Sequence, residues 1–331
     1  MPLIIARTPF RVSLFGGGSD YPDWYLKHGG AVLATAINKY CYISGRYLPP
    51  YFNIRHRIVW SHIETVDSIA EILHPAVRVG LKAYGFDDRN GVELHYQGDL
   101  PARSGIGSSS SFAVGLINVL STLRGRNMDK HELALAAIDL EQNHLKDNVG
   151  SQDQVSAAYG GFNMIRFYKT GQIVVEPVAL DPERQAALEA RLLLIYTGTT
   201  RLSSEHAGDL IKNLEAKSRH IEAMTDMVQD GLAIVRGGNL DDLGRMLHET
   251  WRLKRELTPN ISSAAIDEIY GTARDAGALG GKLLGAGGAG FLLFYVPERD
   301  QASVRHALRN LLHVPYQIDF TGSTLIYRSE D

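Results

Sequence analysis

The stretch RSGIGSSSSFAVGLINVL (residues 103–120) sets two glycines and four consecutive serines before an almost wholly apolar segment. Apolar residues occupy nearly every face from 112 to 123, which predicts a buried helix. The first N–H groups of a helix are unpaired, and its macrodipole places about half a positive charge there, so this end attracts phosphate. Glycine lets the backbone approach such a ligand closely. The stretch therefore predicts a phosphate loop made of Gly105, Ile106, Gly107, Ser108, Ser109, Ser110 and Ser111.

The alternative is that these serines are ordinary helix N-caps, which is how one or two serines would be interpreted. Four in a row behind two glycines favour phosphate binding. The loop is not a Walker A motif, because no Gly-Lys-Ser/Thr ending is present.

The composition favours small-molecule partners or other copies of the same chain. The 331 residues include 34 Lys and Arg against 37 Asp and Glu, a net charge of -3, so no basic field predicts binding to nucleic acid or a membrane surface. The single cysteine, Cys41, fits a reducing compartment. The N-terminus does not have the pattern of a signal peptide, and no stretch approaches about 20 apolar residues. We expect a cytoplasmic protein that is a candidate homodimer.

Strand patterns dominate the start of the chain, and helical patterns dominate its second half. A polar segment after Asp181 gives way to a new apolar strand at 192–196, so we place a domain boundary there, with domains at 1–181 and 182–331. Helical patterns at about 203–236, 240–257 and 263–277 precede a strand, GFLLFYV, and a closing strand, TLIYR. Helices packed against antiparallel strands predict an α+β fold in both halves.

Two further glycine clusters flank these patterns. GKLLGAGGAGFLLFY contains G-x-G-x-x-G at Gly285, Gly287 and Gly290, but a helical pattern precedes it and a strand follows it. A dinucleotide-binding turn needs the opposite order, so we exclude that interpretation. The other cluster, RTPFRVSLFGGGSDYPDWY, places Arg11 on a strand and Asp20 after a triple glycine. An arginine in such a place is usually a surface charge.

Taken together, the three clusters resemble the motifs of the GHMP kinases, the family that includes galactokinase, homoserine kinase and mevalonate kinase. The segments are RTPFRVSLFGGGSDYPDWY, SGIGSSSS and KLLGAGGAG, and the resemblance covers essentially the whole chain. It implies an N-terminal ATP-binding domain of the ribosomal protein S5 domain 2-like type and a ferredoxin-like C-terminal domain, with the active site between them. ATP and Mg²⁺ are the implied cofactors.

The resemblance also implies roles for individual residues. In GSQDQ, Asp153 takes the place of the family's catalytic aspartate, and Arg11 that of the basic residue beside it. Glu141 would be a Mg²⁺ ligand together with Ser109. Because four serines stand in a row, the alignment of Ser109 with the metal-binding serine of the family leaves the adjacent serine as an alternative. The implied substrate-binding residues are Gly17, Gly18, Asp20, Gln154 and Arg201. Outside the family context Asp153 would be interpreted as a helix cap, and His144 as a surface or structural residue.

Within the family, GGAVLATAINKY and DQVSAAYGGFN are most similar to kinases of D-glycero-D-manno-heptose 7-phosphate. Galactokinases usually carry Gly-Glu-His-Thr-Asp where this chain has GGGSD (residues 16–20). The expected reaction is phosphorylation of the anomeric hydroxyl. Alternatives are a fucose- or galactose-type sugar 1-kinase and a non-catalytic sensor of sugar and nucleotide.

A phosphorylated substrate predicts cationic side chains on the sugar side of the cleft. Arg201 is the preferred candidate, because it lies in a Gly/Thr loop after a strand. The other candidates are Lys39, Arg46, Arg55, Arg57, Lys254 and Arg255.

Overall fold

The computed structural model describes residues 2–49, 51–198, 208, 211 and 213–329. Two sheets and the helices around them make up this part of the chain. The strands are β1 (Ile4–Phe15), β2 (Gly30–Tyr47), β3 (His56–Val59), β4 (Ile63–Val66), β5 (Val92–Gly98), β6 (Phe162–Phe167), β7 (Ile173–Pro177), β8 (Leu192–Tyr196), β9 (Gly280–Leu283), β10 (Phe291–Tyr295), β11 (Leu312–Val314) and β12 (Thr324–Arg328).

The helices pack on the faces of these sheets. They are α1 (Pro22–His28), α2 (Pro75–Ala83), α3 (Ser108–Leu123), α4 (Lys130–Asp139), α5 (Gln152–Tyr159), α6 (Pro182–Arg191), α7 (Ser218–Gly237), α8 (Leu240–Arg255), α9 (Ala264–Asp275) and α10 (Gln301–Ala307). None of the helices within the described ranges is both long and apolar enough to cross a membrane.

The larger sheet has eight strands, with β12-β1-β2-β5-β3-β4 in order and β6 and β7 branching from β2. The branch exists because β2 is 18 residues long. Its first part, residues 30–35, pairs with β6, and residues 41–47 pair with β5. All of these pairings are antiparallel except that of β3 with β5. The smaller sheet is antiparallel throughout, in the order β11-β8-β10-β9.

Helix α3 is buried, as its sequence predicts. It packs against β1 and β2, and 15 of its 16 residues are buried. Ser109 is the exception. The next helix begins with a capping box, because Asp129 and Glu132 exchange side-chain to backbone hydrogen bonds.

Alternate residues of the smaller sheet join two different hydrophobic cores. Leu194 and Leu293 belong to the core that also contains Phe10 and Leu116, whereas Phe294 packs with Trp251 and Ile266. Successive side chains of a strand point to opposite faces, so both faces of this sheet are covered. The α+β architecture predicted from the sequence is confirmed.

The structure differs from the sequence patterns at two strands. The closing strand TLIYR, which we assigned to the second domain, pairs with β1 and lies in the larger sheet. A strand pattern predicts the element but not its partner, and β1 offers an edge. The boundary at residue 181 stays a prediction. The segment before Gly285 ends in a strand, β9, and not in a helix, so the glycine cluster lies in a hairpin between β9 and β10.

Candidate active site

The phosphate loop lies at the N-terminus of α3, in a cleft lined by residues from both halves of the sequence. Gly107 is the N-cap, with a φ of +72°. Gly105 also has a positive φ, and a Cβ built on it would lie 2.4 Å from the carbonyl oxygen of Leu284. Only glycine adopts this backbone and allows this approach at low cost. The loop is therefore in contact with the second glycine cluster.

The four serines of the loop make different contacts. The Ser111 hydroxyl donates to the carbonyl of Pro9 at 2.9 Å, and the Ser108 hydroxyl accepts from the amide of Arg103 at 3.0 Å. These two hydrogen bonds attach the loop to the neighbouring backbone of Arg103 and Pro9. Ser109 is exposed, and its hydroxyl donates to Oε1 of Glu141 at 2.6 Å. The Ser110 side chain also hydrogen-bonds Glu141. Both serines therefore lie beside the predicted acidic ligand.

Arg11 and Asp153 form a two-pronged ion pair. Nε of Arg11 donates to Oδ1 of Asp153 and Nη2 donates to Oδ2, both at 2.6 Å. Nη1 donates to the carbonyl of Gly105, also at 2.6 Å. Arg11 is only 5% exposed, on β1, and Asp153 lies in the first turn of α5. One guanidinium therefore joins a strand, the phosphate loop and a helix, and it fixes the direction of the carboxylate.

Glu141 is fully buried, and its two oxygens have separate donors. Oε1 accepts from Ser109 and Oε2 accepts from Nε2 of Gln154 at 2.6 Å. Burial raises the pKa of this carboxyl to about 7. The residue lies in a single π-helical turn, Leu140–His144, which continues α4. Such turns are frequent at functional sites because the extra residue changes the direction of the side chains.

The oxygen ligands at this point fit Mg²⁺. No group of three or more His, Cys, Asp or Glu side chains suited to a metal occurs among the residues that the structure describes. Mg²⁺ commonly binds one or two carboxylates together with substrate phosphates. A carboxylate and a hydroxyl beside a phosphate loop match that pattern.

Asp20 is buried at the bottom of the cleft, next to the helix that carries Asp153. Its Oδ1 accepts from the amide of Gly18 at 3.1 Å, and its main-chain carbonyl accepts from the amide of Ser151 at 2.9 Å. Burial raises the pKa of Asp20, and the nearby charge of Asp153 raises it further. Gly17 and Gly18 line the same cleft.

Gln154 is the glutamine that the resemblance implies for substrate binding, but Gln152 is the one that lines the cleft. The side chain of Gln154 contacts Glu141 and does not line the cleft, so the structure does not bring it to the predicted substrate side. Gln152 lines the cleft instead. Its buried Oε1, like the hydroxyl of Ser13, has no hydrogen-bond partner within the described part of the chain. Both groups are available to a ligand's hydroxyls.

Most of the cations considered for a substrate phosphate lie elsewhere. Arg46 and Arg57 contact Glu93 at 2.6 and 3.4 Å on the larger sheet. Arg255 contacts Asp267 at 2.9 Å. Arg201 lies outside the described residues. The cations that line the cleft are Arg11, Arg103, Lys254 and Lys282. Lys254 was among the candidates for a substrate phosphate, whereas Arg103 and Lys282 were not.

These features define a class of protein: a two-domain α+β kinase with a glycine-serine phosphate loop. The sequence model of the GHMP kinases N terminal domain matches residues 70–161, and that of the GHMP kinases C terminal domain matches residues 231–314. Together they match more than half of the chain. The chain belongs to the GHMP kinase family, and it is a sugar kinase that phosphorylates with ATP.

The comparison with individual relatives gives the same result. A D-glycero-alpha-D-manno-heptose 7-phosphate kinase of Campylobacter jejuni is 28% identical over 328 residues, which cover 93% of this chain and 94% of the relative. A bifunctional fucokinase/GDP-fucose pyrophosphorylase of Arabidopsis thaliana is 26% identical over 89% of this chain, but this chain spans only 30% of that relative.

A solved structure has the same fold over nearly its whole length. The D-glycero-D-manno-heptose 1-phosphate kinase from Bacteroides thetaiotaomicron superposes with a TM-score of 0.81 at 22% identity, covering 99% of this chain and 100% of that one.

Proposed function

We propose that this protein transfers the γ-phosphoryl group of ATP to the anomeric (C1) hydroxyl of D-glycero-D-manno-heptose 7-phosphate. The product is the 1,7-bisphosphate, for the synthesis of nucleotide-activated heptose. Two similar proteins are named as heptose phosphate kinases, one with the phosphate at position 7 and one with it at position 1. The heptose and the positions of both phosphates are therefore part of the proposal.

The ion pair of Arg11 and Asp153 beside the phosphate loop carries the proposal. Each carboxylate oxygen keeps acceptor capacity after it accepts one N–H from the guanidinium. Asp153 can therefore accept the proton of the sugar's anomeric hydroxyl while the oxygen of that hydroxyl attacks the γ-phosphorus. ADP leaves with the electrons of the broken P–O bond. Arg11 and the amides at the start of α3 would stabilise the negative charge of the transferring group.

Ser109 and Glu141 would hold Mg²⁺, which neutralises charge on the phosphate oxygens when it is bound. Because Ser109 lies in the phosphate loop itself, the metal would be held beside the triphosphate. Gln154 is then a positioning residue, since it contacts Glu141 and not the cleft.

The sugar would lie over Asp20, Gln152 and Ser13, with the backbone of Gly17 and Gly18 beneath it. Asp20 and Gln152 offer acceptors, and Ser13 offers both a donor and acceptors. The absence of side chains at the two glycines leaves room for a long acceptor. A homodimer and a cytoplasmic location stay predictions from the sequence.

The test is to incubate the protein with Mg-ATP and a panel of sugars and sugar phosphates, and to locate the new phosphate by ³¹P NMR. We expect a new anomeric phosphate signal with the heptose 7-phosphate, at a higher kcat/KM than with the unphosphorylated heptose, fucose or galactose. Preference for an unphosphorylated sugar would support the fucose- or galactose-type alternative, which the similarity to a fucokinase favours. No turnover of any sugar would support the non-catalytic sensor.

A further inference from the structure

Two lysines of the second half of the sequence line the cleft, and their hydrogen-bond partners within the described part of the chain are carbonyl groups. Lys282, on β9, is 4% exposed, and its Nζ donates to the carbonyl of Leu14 at 2.9 Å. Lys254, in the last turn of α8, donates to the carbonyls of Leu283 at 2.8 Å and Gly285 at 2.5 Å. No carboxylate of the described residues lies within ion-pair distance of either Nζ. Among the described residues, neither charge therefore has a counter-ion.

Burying these two ammonium groups is costly. Burial lowers the pKa of Lys254 well below its usual range, and the charge of Lys282 lowers it further. The pKa of Lys282 falls to about 7, through burial first and then the charge of Arg11, whereas Asp20 opposes the shift. The charge of Arg11 is already matched by Asp153. An isolated buried cation of this kind is retained at a cost unless something completes its coordination.

A structural role would not need the charge. Leu14 lies between Ser13 and Phe15, where the pairing of β1 with β2 shifts register, so its carbonyl is available for another donor. Any donor of suitable length, including a neutral amide, would satisfy that carbonyl and those that Lys254 contacts. The carbonyl contacts therefore explain why a donor is present but not why it is an ammonium group.

We propose that Lys254 and Lys282 form a binding subsite for a phosphate group on this wall of the cleft. The inference rests on the proposed function, because that reaction brings phosphates into the cleft from two sources. One is the γ-phosphate of the nucleotide, and the other is the phosphate that the sugar already carries. A phosphate supplies the negative charge that both ammonium groups lack, and lysine is a common phosphate ligand.

The position of the lysines supports a phosphate over other anions. Lys254 contacts Gly285, and a Cβ built on Gly285 would lie 2.4 Å from the Cα of Gly105 in the phosphate loop. Lys282 is close enough to Asp20 and Arg11 for their charges to act on it. Lys254 therefore lies near the phosphate loop, and Lys282 lies near the proposed sugar site.

The experiment uses Lys254→Gln and Lys282→Gln, which keep a hydrogen-bond donor and lose the charge. Arg255→Gln is the matched control, because it removes an exposed charge from the neighbouring position of α8. Calorimetry would measure Kd for the ATP analogue AMP-PNP with Mg²⁺ and for the phosphorylated and unphosphorylated forms of whichever sugar the wild type uses. Thermal unfolding of the ligand-free variants would be measured alongside.

We expect at least one lysine variant to bind a phosphate-bearing ligand about 10-fold or more weakly, as for the loss of a charge-assisted hydrogen bond. The melting temperature of the lysine variants should not fall below that of the wild type, because each variant loses a buried charge that is costly to the fold. The affinities of the control should stay close to wild type. Weaker binding of the sugar phosphate alone assigns the subsite to the acceptor, and weaker binding of AMP-PNP alone assigns it to the nucleotide. Weaker binding of both means that the phosphates share it.

Unchanged affinity for both phosphate-bearing ligands would overturn the proposal. Equal losses for all three ligands with a lowered melting temperature would overturn it as well, because they assign the lysines to the structure. The result is separate from the test of the proposed function. A wild type that uses a different sugar disproves the heptose assignment, yet the nucleotide and the phosphate of that other sugar still test the lysines.

Discussion

On the wall of the cleft built from the first half of the sequence, Arg11 and Glu141 have side-chain partners, whereas the lysines on the opposite wall contact only carbonyls among the described residues. Arg11 contacts Asp153, and Glu141 accepts from Ser109 and Gln154. Lys254 and Lys282 have no such partner within the described residues. The first wall is therefore preorganised for chemistry, and the second is completed by what binds to it. Preorganised charges contribute most to the stabilisation of a transition state, because they do not have to rearrange during the reaction.

The largest effect is expected at the preorganised wall. Asp153→Ala should lower kcat by about two orders of magnitude or more, as the loss of a general base does. Calorimetry with AMP-PNP should show largely intact nucleotide binding, since the phosphate loop keeps its amides. Near-normal turnover would show that Asp153 acts only as a helix cap. The proposed functional difference between the two walls would then be wrong.

A smaller effect is expected at the proposed metal ligand. Glu141→Gln keeps an acceptor for Ser109 but loses the negative charge, so the Mg²⁺ concentration for half-maximal rate should rise about 10-fold. The titration would be run at saturating ATP and sugar. The matched variant Gln154→Glu keeps the size of the side chain that contacts Glu141 and adds a charge beside it. An unchanged metal requirement in Glu141→Gln would argue against this ligand.

The last effect concerns the stability of the opposite wall. The pKa of Lys282 is about 7 in the folded protein and near 10.5 when unfolded, so the unfolded chain binds more protons between these values. The free energy of unfolding therefore increases with pH in this window. Lys282 alone contributes at most about 1.4 kcal/mol per pH unit to this increase.

Lys282→Met removes this contribution, so its urea-unfolding free energy should depend less steeply on pH between 7 and 10 than that of the wild type. The Arg255→Gln variant controls for loss of a surface charge. Equal slopes in Lys282→Met and wild type would show that Lys282 keeps an ordinary pKa and that the two walls do not differ as described.

The sequence predicts the first wall well because its signals are local. The glycines and serines before α3, the strand with Arg11 and the helix with Asp153 each have a pattern within a few residues. The structure brings Arg11, Asp153 and Ser109 to one cleft, with Glu141 buried behind Ser109.

The sequence does not predict those side chains and strand partners whose position depends on the whole fold. Gln152 and Gln154 are two residues apart on a helix, so they point about 200° apart, and only the packing of α5 decides which one faces the cleft. Lys282 lies in a buried strand and has no local signal, because its neighbours in the cleft, Leu14 and Asp20, are far away in the sequence. The partner of β12 is also set by a sheet edge at the other end of the chain.

The central claim is that the start of α3 holds the phosphates of ATP and that Ser109 and Glu141 hold the metal beside them. A crystal structure with AMP-PNP, Mg²⁺ and the sugar substrate would test it most directly. We predict that the β- and γ-phosphates accept hydrogen bonds from the backbone between Gly105 and Ser111, with Mg²⁺ bound by Ser109 and Glu141. Phosphates located elsewhere in the cleft, with that loop free of ligand, would contradict the account.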